Sequence, residues 1–119
     1  MSLHNKKLGK DGEERAVIAL ESAGLEIIAK NYRSKTGEID IIALESETIV
    51  FVEVKNWSVF GMEDLRYGVD IKKQRKIIKT AKFFLLENRK YSNMIIRFDV
   101  VFVSNNSVNH LASAFTECV

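Results

Sequence analysis

The chain has 119 residues, enough for one hydrophobic core and too few for two. A hydrophobic share of 46% and a charged share of 29% exclude a disordered tail or a collagen-like repeat, and a single cysteine, Cys118, excludes a disulfide scaffold. No run of about 18 apolar residues and no apolar signal segment is present, so we expect one cytoplasmic domain over 1–119, away from membranes, with residues 1–7 as a mobile tail.

The net charge of +2 is unevenly spread. Residues 66–90 carry nine Lys or Arg against two acids, Asp70 and Glu87. Such a segment is either the footprint of a polyanionic partner or a solvated helix face.

The first helix is predicted over 9–23. Ala16, Val17, Leu20 and Ala23 form its apolar stripe and Gly24 ends it. Glu13 falls on that stripe one turn earlier, where a carboxylate is costly unless it finds a partner. Strands follow at 25–32, 38–44 and 48–55, the last rich in β-branched residues, with a hairpin at ESET between the second and third. Residues 56–68 lack a period and read as a loop; Trp57, Phe60 and Tyr67 there either stack on unpaired bases or form a small satellite core. A second helix over 69–88 has Ile77, Ile78, Ala81, Phe84 and Leu85 as its stripe. Gln74 lies on that stripe, whereas Lys72, Arg75, Lys76, Lys79 and Lys82 lie off it. A fourth strand at 95–103 and a short fifth at 108–112 complete an α-β-β-β-α-β order, an α/β fold with a mixed sheet and a helix on each face.

The third strand holds Glu53-Val54-Lys55. Residues i and i+2 of a strand face the same way, about 6.6 Å apart, so Glu53 and Lys55 share a face with Ile49 and Phe51. If the ESET loop has even length, Asp40 stands opposite Glu53 on that face; an odd loop puts the two on opposite faces. Two carboxylates about 5 Å apart repel unless a cation lies between them, and oxygen donors suit Mg²⁺ or Mn²⁺ better than Zn²⁺. Asp40, Glu53, Lys55, a metal and a nearby basic helix suggest phosphodiester hydrolysis. The competing reading is an exposed cross-strand salt bridge, which the apolar neighbours Ile49 and Phe51 argue against.

The string Gly9-x-x-Gly12-Glu13-x-x-Ala16, Asn31-Tyr32-Arg33, Gly37-Glu38-Ile39-Asp40, Phe51-Val52-Glu53-Val54-Lys55, Lys73-Gln74 and Arg97-Phe98-Asp99 resembles the YraN-like family of uncharacterised bacterial proteins over about residues 8–115. That family in turn looks like a branch of the PD-(D/E)xK nucleases, near the archaeal-type Holliday-junction resolvases. The resemblance implies a restriction-endonuclease-like αβββαβ core and a metal-dependent DNA endonuclease, with branched and single-stranded DNA among the expected substrates. It implies Asp40, Glu53 and the Val54 carbonyl as ligands of Mg²⁺ or Mn²⁺, with Glu13 helping directly or through water. Lys55 is then the motif lysine and Gln74 a helix-borne site residue. Ile39 departs from the family's Pro before the first metal carboxylate.

Nucleic acid is the expected partner, with Arg33, Lys72, Lys73, Lys76 and Lys79 as its contacts. For Arg33 and Lys35, phosphate contact and plain solvation are evenly balanced. The alternatives to an enzyme are a non-cleaving nucleic-acid-binding module and a structural partner of a DNA repair or uptake assembly. Arg97 and Asp99 share a face and are expected to pair internally; His110 has no expected partner. Monomer and homodimer both remain open, because only a two-strand cut would require two sites.

Overall fold

The computed structural model describes residues 3–56 and 69–116, with side chains from residue 11 onward. Helix α1 (Leu3–Ser22) is followed by strands β1 (Glu26–Ser34), β2 (Gly37–Glu45) and β3 (Thr48–Asn56), helix α2 (Ile71–Glu87) and strands β4 (Ile95–Val103) and β5 (Val108–Phe115). The strands form one sheet in the order β1-β2-β3-β4-β5. β1, β2 and β3 make an antiparallel meander; β4 lies parallel to β3, a pairing that needs a long crossover, and α2 lies within that crossover. This is the restriction-endonuclease-like αβββαβ core expected from the sequence, extended by β5.

Each helix covers one face of the sheet. Ala16 and Leu20 of α1 are buried with Ile41, Ala43, Val50, Val52 and Val101. Ile77, Ala81 and Phe84 of α2 are buried with Ile42, Ile49, Phe51, Phe98 and Val100. Phe51 is fully buried, its ring 5.7 Å from that of Phe98. Removing one such side chain from water contributes about 1.5–3 kcal/mol. The alternation Ile49, Phe51, Glu53 therefore carries Glu53 onto the α2 face.

Several boundaries differ from expectation. Helix α1 begins at Leu3, so residues 3–7, expected as a tail, are helical. Ala23 lies past the end of α1 and is exposed, so the stripe closes at Leu20. Helix α2 starts at Ile71, two residues later than expected, because Asp70 caps it: the Lys73 N–H donates to Asp70 Oδ1 at 2.8 Å. Strand β5 runs on to Phe115. Asn56 ends β3 instead of opening a loop, and Trp57, Phe60 and Tyr67 lie outside the described residues.

Two further contacts fix the frame. The turn between β1 and β2 is pinned to α2 by hydroxyls: Ser34 Oγ to Thr36 Oγ1, Thr36 Oγ1 to the buried Thr80 Oγ1, and Thr80 Oγ1 to the Lys76 carbonyl, each 2.8 Å. Gly37 follows that turn at φ +149°, a backbone conformation that a side chain resists. On the α1 face, Asp99 is fully buried and takes both Arg97 Nε and Nη2 at 2.9 Å, the Ser113 N–H at 3.0 Å and His110 Nε2 at 2.6 Å. Arg97 Nη1 also reaches Glu45 Oε1 at 2.6 Å. The expected internal pair is present, and His110, expected to stand alone, belongs to it.

Candidate functional site

The β2–β3 hairpin decides whether two carboxylates meet. Its loop has two residues: Glu45 pairs with Thr48, and Ser46 takes φ +53°. The same register continues through Ile42↔Phe51 to Ile41↔Val52. It carries Asp40 and Glu53 next to each other at the point where the ladder ends. There the Asp40 side chain takes over the backbone's role: its Oδ2 accepts the Val54 N–H at 2.7 Å. A strand residue directs its N–H and C=O to the same side, so the Val54 carbonyl also points toward β2.

Asp40 and Glu53 line a cleft of 400 Å³ between β2, β3 and the first turns of α2, with Glu38 on one side and Lys72, Lys73 and Lys76 on the other. The hydroxyl chain from Ser34 to Lys76 holds the α2 wall against the β1–β2 turn. Burial, then the hydrogen bond and charge of Glu53, push the Asp40 carboxyl up to about 8, against the lowering pull of the Val54 N–H and Lys73. Glu53 is buried, and Lys73 Nζ lies 3.1 Å from its Oε2. That contact supplies charge without hydrogen-bond alignment, because Oε2 accepts no hydrogen bond.

Glu13 reaches the same neighbourhood from the opposite layer. It is half-buried on α1, and its carboxyl is raised by burial first and by Asp40 second. Asn31 secures it. This residue sits in mid-strand at φ +55°, a conformation asparagine tolerates. With its amide nitrogen facing the carboxylates, it donates to Glu38 Oε1 at 3.1 Å and to Glu13 Oε1 at 3.2 Å. Gly12 leaves room for the Asn56 side chain: a Cβ there would lie 2.5 Å from Asn56 Oδ1.

Residues 12–103 match the Uncharacterised protein family UPF0102. The chain belongs to this family. A UPF0102 protein of Persephonella marina is 45% identical over 107 residues, which cover 90% of this chain and 91% of that protein. One from Treponema pallidum is 43% identical over the whole of both chains, and one from Clostridioides difficile is 43% identical over 95% of this chain and all of its own. The names of these UPF0102 relatives state the family and no activity.

In this UPF0102 protein, then, Asp40 and Glu53 come together with Val54 beside them, and Lys72, Lys73 and Lys76 share their cleft. Other expected residues stand elsewhere. Lys55 is exposed at the end of β3 and is not among the described residues lining the cleft. Gln74 serves the backbone, its Nε2 donating to the Val69 carbonyl at 2.9 Å. Lys73, expected on nucleic acid, pairs with Glu53. Arg33 is exposed, 3.7 Å from Glu38, and Lys79 is exposed outside the cleft. Among the described residues, no three His, Cys, Asp or Glu side chains are arranged to hold a metal ion, so Glu13 borders the Asp40–Glu53 pair without completing a three-ligand nest. Asn31 and Glu38 were not expected at the site. The signal for Asn31 was its residue type at a mid-strand position; Glu38 offered none beyond its place two residues before Asp40. A smaller cavity of 220 Å³ between α2, β4 and β5 is walled largely by apolar side chains such as Leu85, Phe98 and Phe115 and contains no acid. No described helix is long and apolar enough to cross a membrane.

Proposed function

We propose that this protein is a metal-dependent endonuclease that hydrolyses phosphodiester bonds of DNA at the Asp40–Glu53 pair. The observation that carries this reading is the pairing of two carboxyl groups, one buried and one pushed well above its ordinary range, at the base of an open cleft walled by three lysines. Glu53 Oε2, which accepts no hydrogen bond even with Lys73 beside it, and the raised carboxyl of Asp40 fit a divalent cation, and an all-oxygen donor set favours Mg²⁺ or Mn²⁺. Asp40, Glu53 and the Val54 carbonyl would hold the ion, with Glu13 contributing through water. When bound, such an ion lowers the pKa of its water and withdraws charge from a phosphoryl group.

The chain's own residues supply the rest. Lys72 and Lys76 neutralise phosphate oxygens at the cleft wall and so position the backbone without reading its sequence. The Val54 N–H fixes the Asp40 carboxylate, and Asn31 keeps Glu13 turned toward the pair. The PD-(D/E)xK resemblance of the sequence and the αβββαβ core support the same chemistry.

A second reading, a nucleic-acid-binding module that does not cleave, is favoured by two observations: Lys55 lies off the cleft, and no described three-ligand nest exists. The test incubates branched, duplex and single-stranded DNA, and RNA, with Mg²⁺ or Mn²⁺ and compares wild type with Asp40→Ala and Lys55→Ala. Cleavage by wild type that needs metal and disappears in Asp40→Ala is the expected result. Binding that persists in every variant without cleavage by wild type establishes the module instead.

A further inference from the structure

Lys55, the lysine that the motif spacing assigns to the site, is exposed and off the cleft. A different lysine occupies the position. Lys73 Nζ stands 3.1 Å from the buried Glu53 Oε2, and its charge lowers the Asp40 carboxyl as well. Its backbone is anchored by the Asp70 cap, and the next residue, Gln74, is tied to the Val69 carbonyl. Its side chain is half exposed, so the ammonium reaches the pair from the cleft mouth and can withdraw along its flexible stem without unpacking the core.

Resting on the metal-site reading above, we propose that Lys73 is the resident counter-ion of the Asp40–Glu53 pair, which a divalent cation must displace in order to bind. A buried pair of carboxylates with no cation is costly, so the ammonium holds the site together in the metal-free protein. An ammonium and a divalent ion cannot both occupy one carboxylate oxygen, because like charges at contact distance repel. The displaced ammonium stays tethered within the same cleft as Lys72 and Lys76. Lys73 is therefore a positioning residue that sets how tightly the site takes its metal, a role that the exposed Lys55 cannot play.

Calorimetric titration of Mn²⁺ into the full chain tests this directly, with wild type, Lys73→Met, Lys73→Arg and Lys55→Met at one pH and ionic strength. Methionine keeps the stem and the helix propensity of α2 while removing the charge. Lys73→Met should bind Mn²⁺ on the order of tenfold more tightly, the scale of one partly solvated neighbouring charge. Lys73→Arg and Lys55→Met should stay within about twofold of wild type. Circular dichroism verifies the fold of each variant, and Lys73→Arg supplies a charge-retaining control. Acquisition of Mn²⁺ binding by Lys73→Met where wild type shows none also supports the proposal. Equal or weaker binding by Lys73→Met, with wild type binding normally, overturns the proposal and leaves the metal site standing. No Mn²⁺ binding by wild type or Lys73→Met overturns both.

Discussion

Replacing Asp40 by Asn should make the metal-free protein more stable at neutral pH. The amide keeps an oxygen to accept the Val54 N–H, now 2.7 Å from Asp40 Oδ2, and it puts a permanently neutral group where the acid must retain a proton beside Glu53. Burial and Glu53 raise the Asp40 carboxyl from 3.8 to about 8, so the folded state holds its proton more tightly than the unfolded state. Stability is then full below about pH 4 and declines as pH rises toward about 8. At about 1.4 kcal/mol per pH unit, the penalty accumulated by pH 7 reaches at most about 4 kcal/mol. Water entering the open cleft offsets much of it, so the expected gain in Asp40→Asn is about 1–2 kcal/mol. For a domain of this size that corresponds to a Tm increase of about 4–8 °C. Thermal melts of wild type and variant in EDTA from pH 4.5 to 8 measure it. The difference should grow with pH. A variant no more stable than wild type at pH 7.5, or a difference independent of pH, would refute the buried-charge account.

Two further outcomes follow from the same geometry. Removing Lys72 and Lys76 together should reduce the slope of log affinity against log salt on duplex DNA by about 0.9 per lysine, for all sequences alike, whereas Lys79→Ala, off the cleft, should leave the slope unchanged; filter binding from 50 to 300 mM salt reads this, and equal slopes in the double mutant and wild type would exclude a phosphate track along this wall. Asp99→Ala should cost about 3–5 kcal/mol in urea unfolding, because Arg97 and His110 lose their shared buried partner. Burial alone would raise the Asp99 carboxyl, but His110, Arg97 and the Ser113 N–H outweigh it and hold it below its ordinary value. Its contribution is thus complete above about pH 4 and lost as pH falls through the lower folded value, so the wild-type advantage over Asp99→Ala should shrink only in strong acid.

Much of the site was legible because it depends on short-range periodicity. The strand alternation Ile49, Phe51, Glu53 and the two-residue hairpin determine on which face Asp40 and Glu53 lie, and both are properties of adjacent residues. Glu13 was legible in the same way, one helical turn before Ala16. Lys73, expected on nucleic acid, also carried a signal for its place beside Glu53. It stands one turn before Ile77, and the buried line of α2 runs through Ile77, Thr80, Ala81 and Phe84. Ile77, Ala81 and Phe84 already belonged to the expected stripe, so Lys73, four residues before Ile77, falls on its line. His110 was not legible, because its partner depends on the register between β4 and β5. There Val101 faces His110 and a bulge lies opposite Asp99, at the positive-φ residue Ser113. Lys55 shows the limit of strand alternation: it fixes a face, but not whether a helix covers the last residues of the strand.

The most direct measurement is diffraction from crystals grown with Mn²⁺, using its anomalous signal. The account predicts one peak about 2.1 Å from oxygens of both Asp40 and Glu53, with the Val54 carbonyl also coordinated and Lys73 Nζ withdrawn from Glu53. A fully occupied Mn²⁺ elsewhere on the chain, or none at Asp40 and Glu53 at millimolar metal, would contradict it.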